Sequence, residues 1–189
     1  MAKKILILTG DCAEDYEVKV PQQALMMLGY QVDVAVPNKK AGDTAQLVVH
    51  DFTGLDTYVE LTGHRIQVDI AAKDVKPEEY VGLVVPGGRA PEYIRMYPEV
   101  ITLVKAFFAA GKPVAAICHG TQLLAPADVL TGKTVTSYPA CAAECQLAGA
   151  EWKNEQVVVS GNLVTAQAWP DHPAWLRAFV DLLGAKISI

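Results

Sequence analysis

The sequence is poor in cysteine, has no block of basic residues and has no long apolar run. No run approaches the roughly twenty apolar residues that a membrane helix needs, so we expect no membrane span and a location in the cytosol. In that reducing compartment, four cysteines are expected as free thiols and not as a disulfide framework. With 16 Lys and Arg against 21 Asp and Glu, nothing supplies a phosphate-neutralising surface, so nucleic acid is an unexpected partner.

What the chain does contain is ample apolar material for one core. It has 189 residues, of which 51% are hydrophobic and 20% charged, and we find no internal repeat and no low-complexity linker. A chain of this length fits a single domain better than two. We therefore predict one domain over residues 1–189.

Apolar runs alternate with stretches of helical spacing along the chain. The predicted strands include residues 5–8, 31–36, 82–85, 114–117, 134–136 and parts of 157–166, and the predicted helices are residues 16–28, 98–110 and 172–183. This alternation predicts a flavodoxin-like three-layer α/β/α sandwich with a mostly parallel central sheet. Residues 37–64 are irregular and are interpreted as an insertion beside the sheet, and residues 58–61 and 65–68 as a hairpin.

Cys118 follows the buried run 114–117 and precedes Gly120, where a stretch of helical spacing opens. A thiol at such a strand-to-helix turn, a nucleophile elbow, faces the N–H groups and positive dipole of the helix, and both favour the thiolate. The alternative is a small cysteine buried in the core. The polar His119 and the glycine beside it favour the nucleophile.

Two further polar segments follow predicted parallel strands, so they should meet Cys118 at the carboxyl edge of the sheet. In the first, Glu14, Asp15 and Glu17 are each candidates for a carboxylic acid beside the thiol, and spacing alone does not choose among them. A carboxylate that only favours the helix start is the alternative.

The second polar segment supplies Gly88, whose N–H group, with that of His119, is a candidate oxyanion donor. Glu92 is a candidate for orienting the His119 imidazole, within the chain or across an interface. An ordinary exposed helix residue is the alternative interpretation of Glu92.

Metal and cofactor sites find little support in the sequence. The four histidines lie far apart, and Cys141 and Cys145, with three residues between them, lack a matching second pair, so we expect no zinc site. Both cysteines fall on one predicted helix face, where burial is expected. The Gly87-Gly88-Arg89 turn lacks the full pattern of a dinucleotide or phosphate loop, so no cofactor is expected.

Three motifs together resemble the PfpI branch of the DJ-1/PfpI superfamily. They are Ala-Ile-Cys-His-Gly at residues 116–120, Pro-Gly-Gly-Arg-Ala-Pro-Glu at 86–92 and Glu-Asp-Tyr-Glu at 14–17. Later segments at residues 137–139, 148–152 and 161–165 are also similar, so the likeness covers nearly the whole chain. Segments between residues 39 and 64 resemble the plant members with glyoxalase activity, which usually carry two fused domains.

The resemblance implies roles for individual residues. It implies Cys118 as the nucleophile, Glu17 as the protonated acid beside it, His119 as its neighbour, and Glu92 as a carboxylate that faces His119, across subunits in some members. It thereby selects Glu17 over Glu14. Family members generally assemble as dimers, trimers or hexamers, so a homo-oligomer is implied.

The resemblance does not imply a single activity, because the family includes glyoxalases, deglycases, peptidases and stress-response chaperones. Our first hypothesis is a glyoxalase III or deglycase-like enzyme that acts on a small reactive aldehyde or a glycated substrate without glutathione or metal. The alternatives are a cysteine peptidase and a redox-sensing chaperone whose Cys118 is reversibly oxidised.

Overall fold

The computed structural model describes residues 2–185, so the predicted domain of residues 1–189 extends beyond the described residues at both ends. The strands are β1 (Lys4–Leu8), β2 (Ala13–Glu14), β3 (Gln31–Val36), β4 (Thr44–Asp51), β5 (Val59–Gln67), β6 (Ile70–Ala71), β7 (Tyr80–Val85), β8 (Val114–Ile117), β9 (Thr134–Val135), β10 (Glu151–Trp152), β11 (Val157–Ser160) and β12 (Leu163–Ala166). The helices are α1 (Asp15–Met27), α2 (Ala90–Ile94), α3 (Pro98–Ala109), α4 (Thr121–Leu124), α5 (Ala142–Leu147) and α6 (His172–Leu182).

The central sheet has seven strands in the order β11-β12-β8-β7-β1-β3-β6. All its neighbouring strands are parallel except the β11–β12 pair, which is antiparallel. The predicted parallel pairing of the first two long strands, β1 and β3, is confirmed. The expected flavodoxin-like α/β architecture is therefore correct.

Alternate residues of the sheet point into two separate cores. On β1, Leu6 and Leu8 face the core that α3 covers, whereas Ile5 and Ile7 face the core that α1 and α6 cover. Side chains alternate between the faces of a strand, so a strand covered on both faces must be apolar throughout. This arrangement gives the three predicted layers. No helix of the described residues is both long and apolar enough to cross a membrane.

The insertion forms a small second sheet, and here one prediction is wrong. Residues 58–61 and 65–68 do not form a hairpin with each other, because β5 runs through Gly63 without turning and pairs antiparallel with β4. The hairpin is β4–β5, and β2 extends it to three strands in the order β2-β4-β5. Because β2 immediately precedes α1, the insertion is joined to the edge of the sheet where the candidate residues lie.

Candidate active site

Cys118 lies immediately after β8 on a sharp turn, as predicted. Its φ is +57°, in the left-handed region that non-glycine residues rarely adopt, and its side chain is 5% exposed. Residues Cys118–Gly120 form a single 3₁₀ turn that leads into α4. A Cβ at Gly120 would lie 2.4 Å from the carbonyl oxygen of Val85, so only glycine lets the turn pass the neighbouring strand this closely.

Backbone donors surround the Cys118 sulfur, but burial controls its protonation. Hydrogen bonds from the N–H groups of Gly88 and His119 lower the pKa of the thiol, and their role as oxyanion donors stays a prediction. Burial and the charge of Glu17 outweigh them and raise this pKa well above its ordinary value. The turn was expected to favour the thiolate. The two N–H donors do lower the pKa of Cys118, but the net shift of this pKa is upward and favours the protonated thiol.

Glu17 is the carboxyl group beside this thiol. It is completely buried, and its Oε2 accepts a hydrogen bond of 2.8 Å from the N–H of Gly87. A Cβ at Gly87 would lie 2.6 Å from Glu17 Oε2 and 2.7 Å from the Cβ of Cys118, which shows how closely the three segments meet. Burial, with a contribution from the charge of Glu14, raises the pKa of Glu17 well above its ordinary value. The raised pKa favours the protonated form of Glu17 beside the thiol.

The other two acidic candidates have different surroundings. Glu14 is 1% exposed, and its Oε2 caps α1 by accepting a 2.8 Å hydrogen bond from the Glu17 N–H. Burial raises the pKa of Glu14 to about 7. Asp15 instead pairs with His64, whose Nδ1 lies 3.1 Å from Asp15 Oδ2. Glu14 and Glu17 therefore both lie near the Cys118 thiol. Asp15 instead faces His64 in the β4–β5 hairpin.

His119 contacts the Cys118 thiol directly. Its Nδ1 lies 3.1 Å from the Cys118 sulfur, and its ring stacks on that of Tyr138 with centroids 4.9 Å apart. Burial lowers the pKa of His119 to about 4, with a further lowering by His50 that Glu144 opposes. The imidazole is therefore neutral near pH 7.

Glu92 does not reach His119 within the chain. It is exposed on α2, and among residues 2–185 its carboxylate makes no hydrogen bond or ion pair. Its neighbour Arg95 instead pairs with Glu144. The role of Glu92 opposite the His119 of a second copy stays a prediction.

A small cavity lies between Cys118, Glu14 and Glu17 on one side and a group of aromatic side chains on the other. It has a volume of about 20 Å³, and its lining consists of Glu14, Glu17, His50, Phe52, Tyr58, Cys118, Tyr138, Ala168 and Trp169. The sequence did not single out the aromatic residues or His50 for this site. Trp169 alone had a usable signal, because it follows β12, the parallel neighbour of β8, and so belongs to the same edge of the sheet.

A larger cavity of about 400 Å³ lies elsewhere, among Lys39, Lys40, Asp43, Lys73 and others. It contains no nucleophile and none of the predicted site residues, so the chemistry points to the smaller cavity. All four cysteines are free thiols. Within residues 2–185, no three His, Cys, Asp or Glu side chains are grouped in a way that could hold a metal ion.

Comparison with known proteins agrees with this geometry. Residues 3–182 match the model of the DJ-1/PfpI family. The chain belongs to this family. It is 46% identical over 190 residues to Protein DJ-1 homolog D of Arabidopsis thaliana, covering 98% of the chain and 49% of that protein. It is 40% identical over 180 residues to Deglycase PYRAB04690 of Pyrococcus abyssi, covering 95% of the chain and 99% of that protein.

Solved structures of DJ-1/PfpI proteins share the fold. A two-domain protein of Anabaena variabilis with DJ-1/ThiJ/PfpI-like and ferritin-like domains superposes with a TM-score of 0.83 at 30% identity, over 97% of this chain and 48% of that one. The chain thus spans about half the length of this protein and of the Arabidopsis relative, and nearly all of the archaeal one.

Proposed function

We propose that this DJ-1/PfpI protein is a cysteine-dependent glyoxalase III or deglycase that converts methylglyoxal or glyoxal to hydroxy acids without glutathione or metal. The observation that carries the proposal is the buried pair of Cys118 and Glu17, in which a carboxyl group with a raised pKa lies beside a thiol. A pair of this kind suits a reaction in which a thiol adds to a carbonyl while a proton moves between neighbouring atoms.

The proposed reaction begins with attack of the Cys118 sulfur on the aldehyde carbon. A C–S bond forms, the carbonyl π electrons move to oxygen, and the thiol proton passes to that oxygen to give a hemithioacetal. Protonated Glu17 then donates its proton to the adjacent ketone oxygen and takes the proton of the first carbon, which gives an enediol. Glu17 next protonates the former ketone carbon and takes the hydroxyl proton of the first carbon, which leaves a thioester and restores protonated Glu17. Water cleaves the thioester to the hydroxy acid and regenerates the thiol, so no external oxidant or reductant is needed.

The surroundings support a small substrate. The cavity volume of about 20 Å³ is far below the several hundred Å³ of sites for large ligands, so a two- or three-carbon aldehyde requires much less opening of this site than a peptide does. The N–H groups of Gly88 and His119 are the donors for the oxygen that becomes negative during addition. The archaeal relative named a deglycase supports the same class of substrate, either as the free aldehyde or as its adduct with an amine or thiol.

The subunit arrangement belongs to the proposal as well. We infer a homo-oligomer in which the exposed Glu92 faces the His119 of a second copy. Support comes from the lack of any partner for the Glu92 carboxylate within residues 2–185. A cytosolic location accords with the four free thiols.

The activity is tested by incubating the protein with methylglyoxal in the absence of glutathione and measuring lactate. We expect turnover in the wild type and a loss of at least about a hundredfold in Cys118→Ala, because the covalent step then has no nucleophile. Cys145→Ala, which removes another buried thiol far along the chain, is the matched control and should keep its activity. Cleavage of casein that disappears only in Cys118→Ala, without lactate formation, would replace this proposal with a peptidase.

A further inference from the structure

The insertion contributes one histidine to the cavity, His50 near the end of β4. His50 is 5% exposed, and it is directly opposite Glu60 in the β4–β5 register. Its Nε2 lies 3.2 Å from Glu60 Oε2. The ring also packs on Tyr58, with centroids 4.1 Å apart. Two strands therefore hold this imidazole in one orientation.

Glu60 is in turn fixed by Arg89. The guanidinium donates from Nε to Oε2 at 2.8 Å and from Nη2 to Oε1 at 2.7 Å, a two-point contact that defines the plane of the carboxylate. Hydrogen bonds from Arg89 lower the pKa of Glu60, so this carboxylate stays ionised. An ionised Glu60 accepts a proton from Nε2 of His50, which leaves the lone pair on Nδ1.

Arg89 also joins this chain of contacts to the nucleophile. It directly follows Gly87 and Gly88, the residues whose N–H groups contact Glu17 and Cys118. The Arg89–Glu60–His50 chain therefore begins at the loop that forms the oxyanion donors and ends at the cavity wall. No other histidine is placed in this way, because His119 Nδ1 already contacts the Cys118 sulfur at 3.1 Å.

The cavity between His50 and Cys118 suits a single water molecule. Its volume of about 20 Å³ is just above what one water needs. Among the described residues, Oε1 of Glu14 and Oε1 of Glu17 are buried and accept no hydrogen bond. Because Nδ1 of His50 is an acceptor, and Oε1 of Glu14 is one when this carboxyl group is ionised, a water molecule in this cavity can donate both of its hydrogens to the protein. A water held in this way has its lone pairs free to attack a carbon attached to the Cys118 sulfur.

We propose that His50 is the general base that activates the water which hydrolyses the Cys118 thioester, with Glu60 and Arg89 as positioning residues. The water oxygen bonds to the thioester carbon, one water proton passes to Nδ1 of His50, and the C–S bond breaks with its electron pair on sulfur. The proton on His50 then returns to the Cys118 sulfur. Burial lowers the pKa of His50, so its ring starts the step in the neutral, accepting form.

This inference rests on the proposed function and is tested by separating the first turnover from later ones. In His50→Gln we expect the first equivalent of methylglyoxal to be consumed at the wild-type rate and kcat to fall about a hundredfold. Mass spectrometry of the quenched variant should show one methylglyoxal equivalent bound at Cys118. Hydroxylamine, added after free methylglyoxal has been removed because it also forms oximes with aldehydes, should cleave the thioester and release a hydroxamate from this variant and none from Cys118→Ala.

Two more variants complete the test. Glu60→Gln keeps the shape of the side chain and should lower kcat and KM together, by about tenfold, with kcat/KM unchanged, because it slows only the hydrolysis that follows thioester formation. His64→Gln is the matched control on the same hairpin, because the His64 ring is 81% exposed, and it should retain wild-type kcat.

The outcomes distinguish the two proposals. Wild-type kcat in His50→Gln, or a slow first turnover without a bound intermediate, overturns the role of His50 and leaves the glyoxalase intact. A wild-type protein that forms no hydroxy acid overturns both.

Discussion

At the scale of the residue, the nucleophile itself is under backbone strain. Cys118 has a φ of +57°, a conformation that costs an L-residue roughly 1–2 kcal/mol. Glycine has no such cost. We therefore predict that Cys118→Gly is at least as stable as Cys118→Ala, although Gly is normally the less stable of the two by roughly 0.5–1 kcal/mol. Urea unfolding of the two variants measures the difference.

The control for this prediction is the same pair of substitutions at Thr121, in the first turn of α4. There φ is −62°, so the normal order with Ala above Gly is expected. If Ala exceeds Gly by the same margin at both positions, Cys118 carries no strain. Strain at this residue accords with a thiol that is fixed in the wall of the cavity.

The site residues that the sequence predicted and those that it missed differ in how they reach the cavity. Cys118, Glu17 and Gly88 each follow a parallel strand, and the geometry of such sheets fixes where those positions meet. His50 and Tyr58 come from the insertion, whose contact with the cavity depends on a pairing that no local pattern contains. The sequence placed His50 in a segment that resembles the plant members with glyoxalase activity and assigned it no role in the site.

At the scale of the element, Gly63 accounts for the incorrect hairpin. A glycine between two short runs favours a turn, yet β5 continues through it. A Cβ at position 63 would lie 2.4 Å from Asp15 Oδ2 and 3.1 Å from the Leu47 backbone, so this glycine allows two segments to approach. The helices were predictable because their apolar spacing is local, and Asp15–Met27, Pro98–Ala109 and His172–Leu182 agree with the predicted ranges.

The elbow provides a prediction at the same scale. Gly120→Ala places a methyl group 2.4 Å from the Val85 carbonyl oxygen, so the turn must move away from β7. We expect a loss of roughly 1–3 kcal/mol in the free energy of unfolding, as for overpacking, together with most of the activity. Urea unfolding and lactate formation measure the two effects.

Gly111→Ala is the control for the elbow, because its Cβ would contact nothing within 4 Å. It tests only the left-handed backbone at a φ of +63° and should keep full activity. Equal activity losses in the two variants would show that the close approach at Gly120 has no special role.

At the scale of the whole molecule, the buried acids make stability depend on pH. Glu14 has a pKa of about 7 in the folded state and an ordinary value of 4.5, so between these values the folded protein binds more protons than the unfolded chain. The stability from protonated Glu14 is complete below pH 4.5 and is lost as the pH rises through 7. The shift corresponds to roughly 3 kcal/mol.

Comparison with Glu14→Gln isolates this effect from other titrating groups. The amide cannot ionise, and its oxygen can still cap α1, so between pH 5 and 8 the variant should lose roughly 3 kcal/mol less stability than the wild type. His172 has the opposite effect, because burial lowers its pKa to about 4 and stability then rises with pH from about 4 to 6.5. This contribution is present in both proteins and cancels in the difference.

Urea unfolding of both proteins over this pH range measures the difference, and parallel curves would contradict the shifted pKa of Glu14. The result also bears on the active site, because the charge of Glu14 raises the pKa of Glu17. When Glu14 ionises near neutral pH, Glu17 holds its proton more firmly beside the Cys118 sulfur. The stability lost with rising pH is therefore linked to the protonation that the proposed reaction requires.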